Sequence, residues 1–447
     1  MTHSLLADFP ALQQRLAGPS FVAGTPGYDN ELTVFNKVVT HRPAIVVGAT
    51  CAADVSDAVI FAVEHDMDIA VLNTGHGPSL AAGPTTLMIT TRRMTNVEIR
   101  LNSVTARVEA GVRFGQLVNA AAPFGLAPLA GSSPGVGVVG YHLSGGASPT
   151  MGRLYGWAAD HVVAIEVVTA DGRWRHVDKH SEADLFSAML GGKGNFGVVT
   201  AMEIALFPVT RLYAGALFYS GEHVREVMNA YLLFTQSAPD QVSTGLAVLN
   251  LPPLPTIPPF MRGKSTVSLR VSYVGDAARG NRLIEPLRKA APVLMDTVAD
   301  MPFTDFASIS ADPTDPATAV EQFALLRDLS EGAVDAIVGI AGPEADSRVN
   351  IVDIRHLQGA FSRAPMFPNA VGARDAAFAF FALIVVPPGQ RVVDYLDSGR
   401  ELTEALAPWF HTMASPSFQG PDDTTESGTR RAYEPDTYQR LVAAKSK

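Results

Sequence analysis

Cysteine is nearly absent: 447 residues carry one, Cys51. This excludes an internal disulfide framework and any multi-cysteine metal centre. Cys51 itself is expected as a small buried side chain. Charge is sparse as well, with Asp, Glu, Lys and Arg at 17% of the chain. The balance of 34 basic against 44 acidic residues leaves −10, with no basic run anywhere. Phosphate recognition needs clustered Lys and Arg, so a nucleic-acid partner is excluded. Long hydrophobic runs are also missing. The longest, AAFAFFALIVV at 376–386, is too short to span a bilayer and runs into Pro387 and Pro388, so it reads as a buried strand. The opening MTHSLLADFPALQQRLAG has no basic segment followed by an apolar one. A soluble cytoplasmic protein with no membrane partner is the expectation.

What is present is apolar bulk, at 47% of residues, over a length that suggests roughly three domain-sized units. The first two hundred residues alternate strand and helix signals. PAIVVGA reads as a strand, AADVSDAVIFAVEHD as an amphipathic helix with Val55, Val59, Phe61, Ala62 and Val63 on its apolar face, and DIAVLNT as the next strand. TARVEAGVRFGQLVNAAAPFG predicts a strand, a turn at Gly111 and a helix stopped by Pro123 and Gly125. DHVVAIEVVTADGRWRHV predicts two strands joined at Asp171-Gly172. After Pro208 the texture changes: STVSLRVSYVG alternates as a strand and ARGNRLIEPLRKAAPVL reads as helical. The expected fold class is α+β, with units at 1–208 and 209–405. The second unit is expected as an antiparallel sheet with helices on one face.

Three loops are rich in glycine. NTGHG places His76 between two glycines just after a strand, with no further metal ligands beside it, so no metal is expected there. GLAPLAGSSPGVGVVGYHLSGGA, residues 125–147, is expected to hold no regular helix and to leave backbone N–H groups facing a ligand. LGGKGNFGVVT is the third. Glycine at this density suits backbone that packs on a flat cofactor or a pyrophosphate. GVGVVG at 135–140 fits a dinucleotide fingerprint only superficially, for no ribose-binding acid stands at the expected offset.

Taken in order, NTGHG, GSSPGVGVVGYHLSGG, YGWAADHVVAIEVVTADG and GGKGNFGVVT resemble the FAD-binding domain of the vanillyl-alcohol-oxidase superfamily (PCMH-type FAD-binding). The closer resemblance is to its bacterial berberine-bridge-enzyme-like branch, and RHLQGAFSRAP, PNAVGARDAAFAFFALIVVPP and RRAYEPDTYQRLVAAKSK extend it. The resemblance implies a C-terminal segment, 406–447, that returns to the first unit. It also implies FAD bound covalently through His76. A cysteine that makes a second linkage in some members is matched here by Ser133, so attachment through one histidine only is implied. Asn73, Thr74, Gly75, Gly77, Pro78 and Ser79 are implied at the pyrophosphate. Ser132, Val136, Gly137, Gly140, His142, Gly145 and Gly146 are implied along the ring and ribityl chain. Gly197, Val198 and Val199 are implied at the adenylate end. Val136 matches a position where valine accompanies oxygen reactivity, although simple packing explains it equally.

The resemblance breaks at the catalytic segment. Where members carry a tyrosine base in a Tyr-x-Asn-Phe-like segment, TMASPSFQGPDDT matches Ser415 to the tyrosine, Ser417 to the asparagine, and retains Phe418. Replacement bases are sought first at His356 and Tyr141, then at His142, Tyr155 and His411. Ala373 stands where relatives commonly have a histidine. The implied function is FAD-dependent dehydrogenation of a hydroxyl, amine or activated C–H group on a bulky, largely apolar small-molecule secondary metabolite, with dioxygen as acceptor. A redox-neutral cyclase or isomerase, or a flavin-holding protein without chemistry, are the alternatives that the altered segment leaves open.

Overall fold

A computed structural model describes residues 2–77, 80–255, 257–420 and 423–447. The first sheet is formed by β1 (Ser20–Val22), β2 (Ile45–Gly48), β3 (Asp68–Leu72) and β4 (Thr86–Thr90), in the order β1-β2-β4-β3. Strands β2, β4 and β3 run parallel, as the strand–helix–strand rhythm requires. The crossover helix Ala52–Glu64 buries Val55, Ala58, Val59 and Ala62, which recur at helical spacing on one face. Val63, expected on that apolar face, is instead 58% exposed and lines a cavity. Cys51 is half-buried rather than buried, because it caps this helix at its outer end.

The second sheet is antiparallel: β5 (Val97–Arg100), β6 (Thr105–Glu109), β7 (Val162–Val168), β8 (Trp174–Asp178) and β9 (Val198–Ala205), in the order β5-β6-β9-β7-β8. β7 and β8 are joined through Asp171-Gly172 as expected. The stretch 125–147 does contain a helix, Val138–Leu143, contrary to expectation. Its Val138, Val139, His142 and Leu143 are buried, and that packing outweighs the poor helix propensity of Gly140.

The third sheet has eight strands: β10 (Arg211–Ser220), β11 (Val242–Asn250), β12 (Ser265–Tyr273), β13 (Val293–Asp296), β14 (Ala299–Pro302), β15 (Ala319–Leu326), β16 (Ile351–His356) and β17 (Phe378–Val385). Its main path is β13-β10-β12-β11-β16-β17-β15, antiparallel throughout. The apolar run at 376–386 is the buried strand β17. Alternation along each strand sorts side chains to two faces. Val267, Leu269, Val352, Ile354, Phe378 and Phe380 join a core with the helices Val224–Thr235, Glu331–Ala341 and Val393–Leu406. The residues between them, among them Arg270, Asp353, Arg355, Phe381 and Glu321, turn to the opposite face and line a cavity. The chain's last helix, Pro435–Lys445, packs against the helix Ala183–Gly192 through Leu441, and the preceding Tyr433 donates its hydroxyl to Gly191 O.

Candidate active site

The cavity between the glycine loops and the open face of the large sheet has a volume of about 1830 Å³. Pockets for single drug-sized ligands hold roughly 300–1,000 Å³, so there is room for a cofactor and a substrate together. Its lining includes Val63, Met67 and Arg175 as well as Phe381 and Phe418.

His76 stands on its wall. Its loop follows β3, and Gly75 adopts φ +69 where a Cβ would lie 2.6 Å from Val34 Cβ. The backbone of Phe35 and Asn36 holds this loop, donating to Thr74 O at 2.9 Å and Gly75 O at 3.1 Å. The Phe35 ring stacks on the imidazole, centroids 4.0 Å apart. Segment 35–37 is held in turn by the start of β15. Ala317 N donates to Phe35 O at 3.0 Å, and Asn36 Nδ2 donates to Ala319 O at 3.0 Å. His76 Nδ1 lies 2.9 Å from Thr74 Oγ1, while Nε2 is buried with no partner. Burial, aided by the Arg113 charge and opposed by Asp312, pushes the imidazole down to about 4, so it is neutral at pH 7. A Cβ on Gly135 would meet His76 Cε1 and Ser133 Oγ, each at 3.6 Å. Ser133 and His76 thus flank one spot.

Most residues implied by the glycine motifs reach the same cavity. Asn73, Thr74, Gly75 and Gly77 line it from the first loop. Ser132, Ser133, Val136, Gly137, Gly140 and Tyr141 line it from the second, and Gly197, Val198 and Val199 from the third. Pro78 and Ser79 lie outside the described residues. Three do not line it. His142 is buried with Nδ1 2.8 Å from Val138 O, and desolvation pushes its imidazole down to about 4. Gly145 O and Gly146 O accept from Ala159 N and Ala158 N, fixing the turn behind the loop.

The proposed bases fare unequally. His356 ends β16 on the helix-covered face, between Arg153 Nη1 at 3.0 Å, Gln358 Oε1 at 2.9 Å and the Phe378 ring. Burial and the Arg153 charge push it down to about 4. His356 also lines the cavity, but its Nε2 is already engaged by Arg153 and Gln358. Tyr141 has a buried hydroxyl with no partner, and burial raises its pKa, so it is protonated at neutral pH. Ser415 is buried and accepts from Ser417 N at 3.3 Å, while Ser417 Oγ donates to Ser144 O at 2.7 Å. Tyr155 packs on Phe207, and His411 lies 3.2 Å from Asp375.

The large sheet brings groups that sequence reasoning missed. Glu321 on β15 is exposed and lines the cavity, where desolvation by the surrounding walls pushes its carboxyl up to about 7, with Asn36 opposing. Beside it Phe323 stacks on Phe418, centroids 4.2 Å apart, and Phe381 lies 6.0 Å from Phe418. Arg270, Asp353 and Arg355 form a charged cluster on the cavity floor, where a largely apolar substrate is expected from the sequence.

Whether this cavity suits FAD can be judged on its own atoms. Asn73 Oδ1, His76 Nε2 and Tyr141 OH are buried and partnerless on the glycine-loop side, and a long polar-edged ligand would satisfy them. The residues present fit the group. The fold is the mixed α+β architecture of the vanillyl-alcohol-oxidase (PCMH-type) FAD-binding oxidases. Within it, residues 43–178 match the family described as FAD binding domain.

Among curated proteins, the chain is 31% identical over 207 residues to (R)-6-hydroxynicotine oxidase of Paenarthrobacter nicotinovorans, covering 45% of each. It is 32% identical over 200 residues to a carbohydrate oxidase of Microdochium nivale, covering 43% of this chain and 40% of that protein. The match therefore spans less than half of either relative. Among solved structures, 6-hydroxy-D-nicotine oxidase from Arthrobacter nicotinovorans superposes with a TM-score of 0.82 at 22% identity, over 96% of this chain and 94% of that one. Physcomitrella patens BBE-like 1 gives 0.84 at 16% identity, over 98% and 95%. At these identities the likeness is one of fold. No helix among the described residues is long and apolar enough to cross a membrane.

Proposed function

We propose that the chain is a FAD-dependent oxidoreductase of the berberine-bridge-enzyme-like kind. It dehydrogenates a hydroxyl, amine or activated C–H group on a small molecule, with dioxygen as acceptor. The observation that carries this reading is His76: neutral, stacked on Phe35, steadied by Thr74, and with one buried ring nitrogen unpartnered on the cavity wall. A neutral imidazole is a competent nucleophile, and this one is suited to hold FAD covalently. Ser133 beside it has no thiol, so attachment is through His76 alone. FAD, when bound, supplies hydride acceptance.

The remaining work falls to side chains. Glu321, with its carboxyl near 7, is the base for the proton that leaves with the hydride. Phe323, Phe381 and Phe418 present ring surface to an apolar part of the substrate. Tyr141 donates its hydroxyl into the cavity. A sheet carboxylate on the cavity wall makes the loss of the usual tyrosine at Ser415 compatible with oxidation, which supports the oxidative reading over a redox-neutral one. Val136, on the wall beside Gly137, leaves a small side chain where dioxygen must approach.

The test is acid precipitation of purified protein with an intact mass. A yellow pellet and a mass increment of one FAD, both lost in His76→Ala, are expected. FAD left in the supernatant overturns covalent attachment, and protein that never takes up FAD overturns the whole reading.

A further inference from the structure

The register of the large sheet sets Arg270 of β12, Gly245 of β11 and Arg355 of β16 side by side across three strands. The middle position has no side chain. A Cβ there would lie 3.5 Å from Arg355 Cγ and 3.6 Å from Asp353 Oδ1, so Gly245 keeps open the gap into which both arginines reach. One oxygen of Asp353 takes every bond. Its Oδ2 accepts from Arg270 Nη1 at 2.9 Å, from Arg355 Nε at 3.1 Å and from Arg355 Nη2 at 2.9 Å. Its Oδ1 and Arg270 Nε are buried with no partner, and Arg355 Nη1 makes no hydrogen bond among the described residues.

Two guanidinium charges against one carboxylate leave one positive charge on a floor where Asp353 is 3% and Arg270 9% exposed. A buried charge without a counter-charge is costly. The other carboxylate facing the cluster, Asp312, acts on Arg355 from a distance but forms no ion pair with either arginine. Burial alone would raise Asp353, but Arg355 and Arg270 hold its carboxyl below the usual range, so it remains an anion and the cluster stays cationic. The cluster faces the same cavity as Glu321 and Tyr141, and Phe381 stands beside Asp353 in register.

We propose that Arg270 and Arg355 form a subsite for a carboxylate group of the substrate. The substrate is then an aryl or otherwise apolar acid rather than a uniformly apolar molecule. Arg270 and Arg355 both line the large cavity, while Gly245 lines a small adjoining pocket of about 20 Å³. Their guanidinium N–H groups that make no hydrogen bond match the two oxygens of a carboxylate on the cavity floor. The partnerless Asp353 Oδ1 accepts from an O–H or N–H next to that carboxylate. Its identification with the substrate rests on the flavoprotein reading above; the anion subsite itself does not.

The experiment titrates benzoate, cinnamate and indole-3-acetate, each against its primary amide, into purified holoprotein by calorimetry and by flavin difference spectra. At least one acid is expected to bind about tenfold or more tightly than its amide. Arg355→Met should abolish that preference, and Arg355→Lys, which keeps charge but loses the fork, should fall between. In both variants Asp353 retains Arg270, and a thermal melt of each checks that the fold is kept. Equal binding of acids and amides, no binding of any acid, or a preference that survives Arg355→Met overturns the proposal. So does an Arg355→Met protein that loses FAD while its acid preference is unchanged, which would give the arginine to the cofactor. The calorimetric arm works equally on protein without FAD. A protein that binds acids selectively but never FAD would sink the flavoprotein reading and leave the subsite standing.

Discussion

Glu321 is the residue whose environment most changes its chemistry. A carboxyl raised to about 7 is half ionised near neutral pH, where a base works best. Glu321→Gln is expected to lower kcat by roughly 10²–10⁴-fold and to remove the limb of the pH profile that rises through about 7. Its effect on stability has the opposite sense to that of a paired carboxylate. The folded state holds the proton more tightly than the unfolded one, so Glu321 lowers stability as pH rises from the ordinary carboxylate range through about 7. FAD-free Glu321→Gln should therefore melt higher than FAD-free wild type at pH 8, and the gap should close at pH 4; a constant gap would contradict this origin. His76 was legible in the sequence because one short motif carries both the histidine and its glycines. Glu321, Arg270, Asp353 and Arg355 were not. They lie on three strands far apart in the chain, and each looks like any charged residue in a strand until pairing shows which face it takes.

The elements themselves were written more plainly. Periodicity located the crossover helix, the β7–β8 hairpin and the buried strand β17, since each is set by local pattern. The helix Val138–Leu143 escaped because burial, not propensity, stabilises it. One polar side chain near the first crossover could not be valued from sequence at all. Asp54, in the first turn of the helix Ala52–Glu64, accepts from Thr50 Oγ1 at 2.6 Å, Thr50 N at 2.8 Å, Ala17 N at 2.7 Å and Gly18 N at 3.2 Å. It fastens the N-terminal segment to the turn after β2. Burial would raise its carboxyl, but the bonds from Thr50, Ala17 and Gly18 prevail and hold it below the ordinary range. Asp54→Ala is expected to cost about 1.5–3 kcal/mol in urea unfolding at pH 7. A depressed pKa means that this contribution is lost as pH falls from the usual carboxylate value through the lower folded one, so the gap between variant and wild type should narrow steadily with acidification.

At the scale of the molecule, the glycine-loop half and the large sheet are clasped by side chains that neither half uses alone. Arg374 pairs with both oxygens of Asp160, at 2.9 and 2.7 Å, and Asn369 Nδ2 donates to the same carboxylate at 2.7 Å. Arg374→Met leaves a largely buried Asp160 with Asn369 alone. It should destabilise the protein by about 3 kcal/mol, and Asp160→Asn in the same chain should recover part of that loss. The clasp between Asn36 and Ala319 spans 283 residues of chain. It backs the segment on which the His76 loop rests. At a synthesis rate of about 5–20 residues per second, roughly 15–60 seconds pass on the ribosome between those two residues. Throughout that interval the histidine sits in a half-built wall. On the covalent reading proposed above, FAD would be joined only after most of the polypeptide has emerged, a late event in the life of each new chain.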